Sequence, residues 1–176
     1  MRSDYAPRDS FEHILAALMP PNRLAIETSL ATGLRIDDVL SLRTDWLLRD
    51  RFTIKEHKTG KRRRVRLPQS LRDALFKQAG RFFVFEHRYD QKRHRTRQAV
   101  WKDLKRTADA FRIKHLTLTP HSARKIFAVS VFQNAGSLKK VQQLLQHDDE
   151  AVTMLYAMAD VLTERHTRGK ETRLPK

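Results

Sequence analysis

Six side chains in this sequence have the types and intervals needed to hold a phosphate and attack it. His121 and Arg124 stand three apart, His147 follows Arg124 by 23 residues, and Tyr156 follows His147 by nine. Arg35 lies upstream, and Lys58 sits inside a strongly basic stretch. A guanidinium is planar and always charged, and it offers paired N–H groups to phosphate oxygens. A tyrosine can supply the nucleophile. The other histidines show no metal-ligand spacing, and no Asp/Glu/His cluster suggests a metal site.

Taken singly, each residue also has an ordinary role open to it. Arg35 could be a surface arginine paired with Asp37 or Asp38; alternatively, Asp38 could orient it toward a phosphate. His121 and Arg124 could be exposed groups beside a helix cap. Tyr156 could be a core tyrosine with its hydroxyl satisfied. Residue type does not separate these readings; the joint spacing must.

The elements that would carry these groups can be read from periodicity. Phe11, Ile14, Leu15 and Leu18 recur at helical spacing, with Ser10 as N-cap and Pro20-Pro21 as the stop. A second helix covers about 23–32 and ends at Gly33, a residue suited to the position after a helix. A third covers about 36–42. Trp46 to Leu48 suggest a short strand, and residues 52–56 and 63–67 two more around a turn at 57–61. Pro68 closes this sheet. Helices resume at about 69–79 and 100–111, separated by a loop at 86–98 dense in Arg, Lys and His. Three further helices are expected at about 120–134, 138–147 and 150–158. Thr119 would cap the first of them, with Pro120 in its first turn, so that His121 and Arg124 share one face at a helix N-terminus suited to phosphate. His147 would sit at the end of the next. The fold class expected is α+β, mainly α: a helical domain with a small three-stranded antiparallel sheet.

Composition points to the partner. The 176 residues include 36 Lys and Arg against 20 Asp and Glu, a net charge of +16, with a pI of about 10.8. Such a balance is expected of a domain that binds nucleic acid. A membrane surface could also accept the charge, yet no stretch approaches the roughly 20 apolar residues of a membrane helix. With no cysteine, disulfides, thiol chemistry and zinc fingers are excluded. Seven basic residues lie between Lys55 and Arg66. Arg62, Arg63 and Arg64 in this hairpin, and Arg93, Arg95 and Arg97 in the later basic loop, are the expected contacts to a DNA backbone.

The chain resembles the tyrosine recombinases, the phage-integrase family of DNA strand-exchange enzymes. Residues Thr32 to Asp38 look like the family's first arginine box, and Lys58 like the lysine in its hairpin turn. His121 and Arg124 look like the second box. Leu144 to His147, followed by Thr153 to Tyr156, look like the final one. Two positions depart from the pattern: Gln146 stands where glycine is usual and Asp38 where glutamate is usual. The resemblance covers about residues 10–160. Most members carry a further N-terminal helical domain, and none is expected within residues 1–176, which read as the catalytic domain with a loose start at 1–9 and a tail at 160–176.

The resemblance implies a site-specific recombinase or integrase that cuts and rejoins DNA through a 3′-phosphotyrosyl link, with no cofactor, no metal and no ATP. Tyr156 would be the nucleophile, and Arg35 and Arg124 the phosphate ligands. His121 would assist proton transfer, Lys58 would be the general acid, and His147 a hydrogen-bond donor to the phosphate. Partners implied are double-stranded DNA bearing specific recombination sites and further copies of the chain, four in the synapse, with no membrane. The setting implied is the cytoplasm, on the nucleoid, for a bacterial, phage or mobile-element protein. A non-catalytic DNA-binding relative and a type IB topoisomerase-like strand relaxer are the alternatives.

Overall fold

A computed structural model describes residues 8–112, 118–135 and 137–145. The chain divides into two compact units, residues 1–127 and 128–176. The first begins with α1 (Arg8–Ala16), α2 (Pro20–Thr32) and α3 (Ile36–Leu40), followed by a 3₁₀ turn at Thr44–Leu48. Next come β1 (Arg51–Lys55), β2 (Arg62–Arg66), α4 (Gln69–Gln78), β3 (Glu86–His87), β4 (Asp90–His94) and α5 (Arg97–Ala110). Helix α6 (Pro120–Ala135) crosses the boundary, and α7 (Leu138–Leu145) belongs to the second unit. There Ala128, Val129, Val141 and Leu145 are buried.

The core of the first unit follows the apolar periodicity. Phe11, Ile14, Leu15 and Leu18 are buried, as are Ile26, Val39, Leu40, Leu75, Val100 and Leu104. In the hairpin, Phe52 and Ile54 alternate with exposed residues on β1, and Val65 does so on β2. The strands pair antiparallel, Phe52 opposite Val65 and Ile54 opposite Arg63.

Four local readings need correction. Helix α1 starts at Arg8 and so precedes Ser10. Pro20 opens α2 rather than stopping a helix, because a residue at the first helical position needs no N–H partner. The cap comes from far away: Asp103 on α5 accepts from the Met19 backbone N–H at 2.9 Å and from Asn22 Nδ2 at 2.7 Å, placing a carboxylate at the positive end of α2. Trp46 to Leu48 form 3₁₀ turn, not strand, with the Trp46 ring stacked on Phe52 at 5.6 Å. The expected three-stranded sheet is therefore two separate two-stranded ones. The second of these, β3 with β4, occupies the basic stretch that reads as a loop. The helix expected at 150–158 and the tail at 160–176 lie outside the described residues.

Gly33 ends α2 with φ +66°, donating its N–H to the Ser29 carbonyl at 2.8 Å. A Cβ there would stand 2.4 Å from the Phe127 ring. Gly60, in the hairpin turn, has the same φ, but the nearest atom to an added Cβ is 3.9 Å away. Backbone strain alone costs about 1–2 kcal/mol for an L residue, and overpacking adds about 1–3. Gly33→Ala is therefore expected to destabilise by more than about 2 kcal/mol and Gly60→Ala by about 1. Urea unfolding of both variants checks this, and equal losses would refute the role given to Phe127.

Candidate active site

The loop after α2 is the centre of the site. Gly33 turns the chain, Leu34 is fully buried, and Arg35 precedes α3 in extended conformation. Arg35 is only 5% exposed. Its Nη1 donates to Glu56 Oε2 at 2.8 Å. Glu56 is itself buried and continues the inward alternation of Phe52 and Ile54 just past β1. Arg124, 1% exposed, donates from Nη1 to the Gly33 carbonyl at 2.7 Å. Two of the phosphate-ligand candidates are thus buried and tied to the same three-residue loop, although 89 positions separate them in sequence.

A third arginine joins them. Arg63 was expected to face DNA with Arg62 and Arg64, but it is buried. Its Nη2 donates to the Thr32 carbonyl and its Nη1 to the Gly33 carbonyl at 3.3 Å, with Glu56 Oε1 3.6 Å away. The reason is the strand period: on β2, Val65 faces the core, so Arg63 must face the same way while Arg62 and Arg64 face out. Burial pushes the Arg63 pKa below the usual arginine range, opposed mainly by the charge and hydrogen bonding of Glu56. Arg63 thus acts as a brace under the loop that carries Arg35.

Lys58 is exposed in the turn between β1 and β2. That turn is closed by Glu56 N–H to the Lys61 carbonyl at 3.0 Å and Gly60 N–H to the Glu56 carbonyl at 2.9 Å. Thr59 Oγ1 also donates to Glu56 Oε2 at 2.9 Å. Asp38 is the expected partner of Arg35, but among the described residues it is Glu56 whose carboxylate is bonded to Arg35. Asp38 Oδ1 instead accepts from His57 N–H at 2.8 Å and lies 2.9 Å from His57 Nδ1. Glu56 and His57 were both missed in the sequence; the inward alternation through Phe52 and Ile54 was the available signal for Glu56.

Helix α6 begins as its sequence predicts. Thr119 Oγ1 accepts from His121 N–H at 3.2 Å, while Ser122 Oγ accepts from Thr119 N–H at 3.2 Å. This reciprocal cap leaves His121 exposed and Arg124 buried in the first turns of one helix. His147 and Tyr156 lie outside the described residues, as does Gln146.

The remaining basic residues divide by exposure. Arg62 and Arg64 are exposed on β2 and Arg93 on β4. Arg97, at the start of α5, is exposed and lies 3.5 Å from Asp37. Arg95 is half-buried, and burial lowers its pKa against the opposing charge of Asp103.

The chain matches the Phage integrase family over residues 7–162, a span that includes all six candidate catalytic positions. The chain belongs to the phage integrase family. Relatives within the family include the tyrosine recombinase XerD of Oceanobacillus iheyensis, 34% identical over 151 residues that cover 77% of this chain and 49% of that protein. XerD of Lacticaseibacillus casei is 30% identical over 168 residues, covering 84% and 56%. The chain spans about half the length of the curated relatives it matches. Integrase-family structures share its fold. A lambda integrase dimer bound to a COC' core site gives a TM-score of 0.72 at 20% identity, covering 88% of this chain and 48% of that one. The catalytic domain of bacteriophage HP1 integrase gives 0.65 at 19%, covering 89% of each chain.

Within this integrase-family domain, the three consecutive arginines of β2 are expected to behave differently. Arg63→Ala leaves a buried carboxylate and loop carbonyls short of a partner and should cost about 3 kcal/mol in urea unfolding. Arg62→Ala and Arg64→Ala should stay within about 0.5 kcal/mol while flattening the salt dependence of DNA binding. That slope changes by about 0.9 in log–log form for each phosphate that is no longer neutralised. A loss of stability shared equally by all three variants would contradict the assignment.

Proposed function

We propose that the chain is the catalytic domain of a site-specific recombinase that cuts and rejoins double-stranded DNA through a tyrosine. The observation that carries this reading is the convergence of Arg35 and Arg124, both buried, on the Gly33–Arg35 loop of a phage-integrase-family chain. Rigidly held guanidiniums can meet the charge that develops on a phosphate without reorganising during reaction. Among the described residues, Arg35, Arg63 and Arg124 face two buried carboxylates, Glu56 and Asp38. An incoming phosphate would bring its negative charge to these guanidiniums.

Tyr156 attacks the scissile phosphorus and forms a P–O bond, while the bond to the 5′ oxygen breaks. The phenol, whose ordinary pKa is about 10, loses its proton with help from His121. The departing 5′ oxygen takes a proton from the Lys58 ammonium. Arg35 and Arg124 hold the non-bridging oxygens, and His147 donates a further hydrogen bond. The 3′-phosphotyrosyl link conserves the bond energy, so a 5′ hydroxyl from another strand reseals the backbone in the reverse step. Strand exchange requires two duplexes, so several copies, four in a synapse, assemble on paired sites. The tail at 160–176 couples that assembly to Tyr156 through the chain itself. The setting is DNA in a bacterial cell, chromosomal or mobile.

A nicked duplex whose 5′ fragment diffuses away after cutting should trap a covalent protein–DNA adduct. Tyr156→Phe should abolish the adduct and leave DNA affinity within about twofold, because one hydroxyl contributes little beside the many charged groups that meet the backbone. The adduct should also form in EDTA, since the arginines supply the charge that a metal would otherwise bring. Persistence of the adduct in the Phe variant would displace Tyr156 as nucleophile. Complete loss in EDTA with recovery in Mg²⁺ would indicate a metal-dependent nuclease. Deleting residues 160–176 should reduce exchange between paired sites by at least about tenfold more than single-site binding. Equal losses would remove the tail from assembly.

A further inference from the structure

The turn that presents Lys58 has a residue beside it that the chemistry above does not use. His57 directly precedes Lys58, and its side chain is 56% exposed, so it is not there to fill the core. Yet its ring is held: Nδ1 lies 2.9 Å from Asp38 Oδ1, the same oxygen that accepts the His57 backbone N–H at 2.8 Å. Asp38 is 1% exposed and lies on α3, one helical turn after Arg35.

We infer that His57 is a positioning residue that fixes the Lys58 turn to the arginine loop through Asp38. This inference rests on the proposed role of Lys58 as general acid.

The other described bonds of the turn do different work. The Glu56–Lys61 and Gly60–Glu56 backbone bonds are internal to the hairpin. They set the shape of the turn but not its position relative to α3. The Thr59 hydroxyl ties the far side of the turn to Glu56 and so, through Glu56, to Arg35. On the near side the tie runs to Asp38. A single backbone bond would let the residue 57–58 peptide pivot about it. The imidazole adds a second attachment to the same carboxylate, and two attachments define an orientation. The turn is then clipped on one side to the carboxylate that follows Arg35 in sequence and on the other to the carboxylate bonded to Arg35. Lysine is long and rotamer-rich, so its delivery to one oxygen depends on where its backbone is held. A misplacement of about 1 Å can cost about a hundredfold in rate.

The test separates positioning from general damage by changing the leaving group. In a nicked duplex with sulfur in place of the bridging 5′ oxygen, the departing group is a thiolate. A thiol has an ordinary pKa of about 8.5, so a thiolate leaves without a proton, whereas an alkoxide does not. Single-turnover cleavage is measured for wild type, His57→Ala, His57→Asn and Lys58→Ala on both substrates, with melting temperatures recorded alongside. His57→Ala should fold normally and cut the oxygen substrate at least about tenfold more slowly, a fraction of the usual worth of general acid catalysis. It should match wild type on the sulfur substrate. His57→Asn, whose side-chain amide can still donate to Asp38, should recover most of the oxygen rate. Equal slowing of His57→Ala on both substrates, or no slowing on either, overturns the inference. So does recovery of Lys58→Ala by sulfur without recovery of His57→Ala. If sulfur fails to recover Lys58→Ala itself, the general-acid assignment falls, and the positioning role falls with it.

Discussion

Placing three guanidiniums inside a small protein is the constraint around which the rest of this domain is arranged. Arg35, Arg63 and Arg124 are each less than a tenth exposed, and like charges in a poorly solvated region repel. Unpaired, each would carry a desolvation cost of several kcal/mol. Among the described residues, the fold answers with the Glu56 carboxylate and the backbone carbonyls of Thr32 and Gly33. Glu56 serves Arg35 directly and Arg63 at longer range, while Thr32 and Gly33 turn their carbonyls toward Arg63 and Arg124. A loop that exposes two consecutive carbonyls on one side needs a sharp turn, and the positive φ of Gly33 provides it. The end of α2, the inward face of the hairpin and the first turns of α6 are thus fixed by one electrostatic problem.

That arrangement explains why the hairpin has two different faces. Its buried positions run Phe52, Ile54 and Glu56 on one arm and Arg63 and Val65 on the other. The apolar ends anchor it to the core, and the charged ends meet at the site. Its exposed positions carry Arg62, Arg64 and Arg66. The same short element therefore braces the Gly33–Arg35 loop and offers charge outward, with neighbouring residues in sequence doing opposite things.

Much of this was legible in the sequence, for physical reasons that also mark where legibility ended. The Gly33 stop, the Thr119 cap and the hairpin turn are local events, governed by single-residue conformational preferences, and the structure has them where the residues put them. Arg63 is buried between exposed Arg62 and Arg64, and a run of arginines looks uniform in composition; only the alternation through Val65 distinguishes it. Trp46 to Leu48 offered three apolar residues, too few to tell a strand from a 3₁₀ turn. The β3–β4 hairpin was hidden because none of its positions is fully buried, so no apolar alternation marks it. The cap that Asp103 places on α2 spans 84 residues, and a long-range partner leaves no local trace. His147 and Tyr156 still stand on spacing and family membership.

The bond from Arg124 to the Gly33 carbonyl spans 91 residues, and this has a consequence for the chain while it is being made. A ribosome releases Arg35, Glu56 and Arg63 long before Arg124. Throughout that interval the Gly33 carbonyl lacks its bond from Arg124, and the proposed nucleophile Tyr156 has yet to be added. On the proposed mechanism, the loop is therefore completed late and the nucleophile is the last of the site residues to be made.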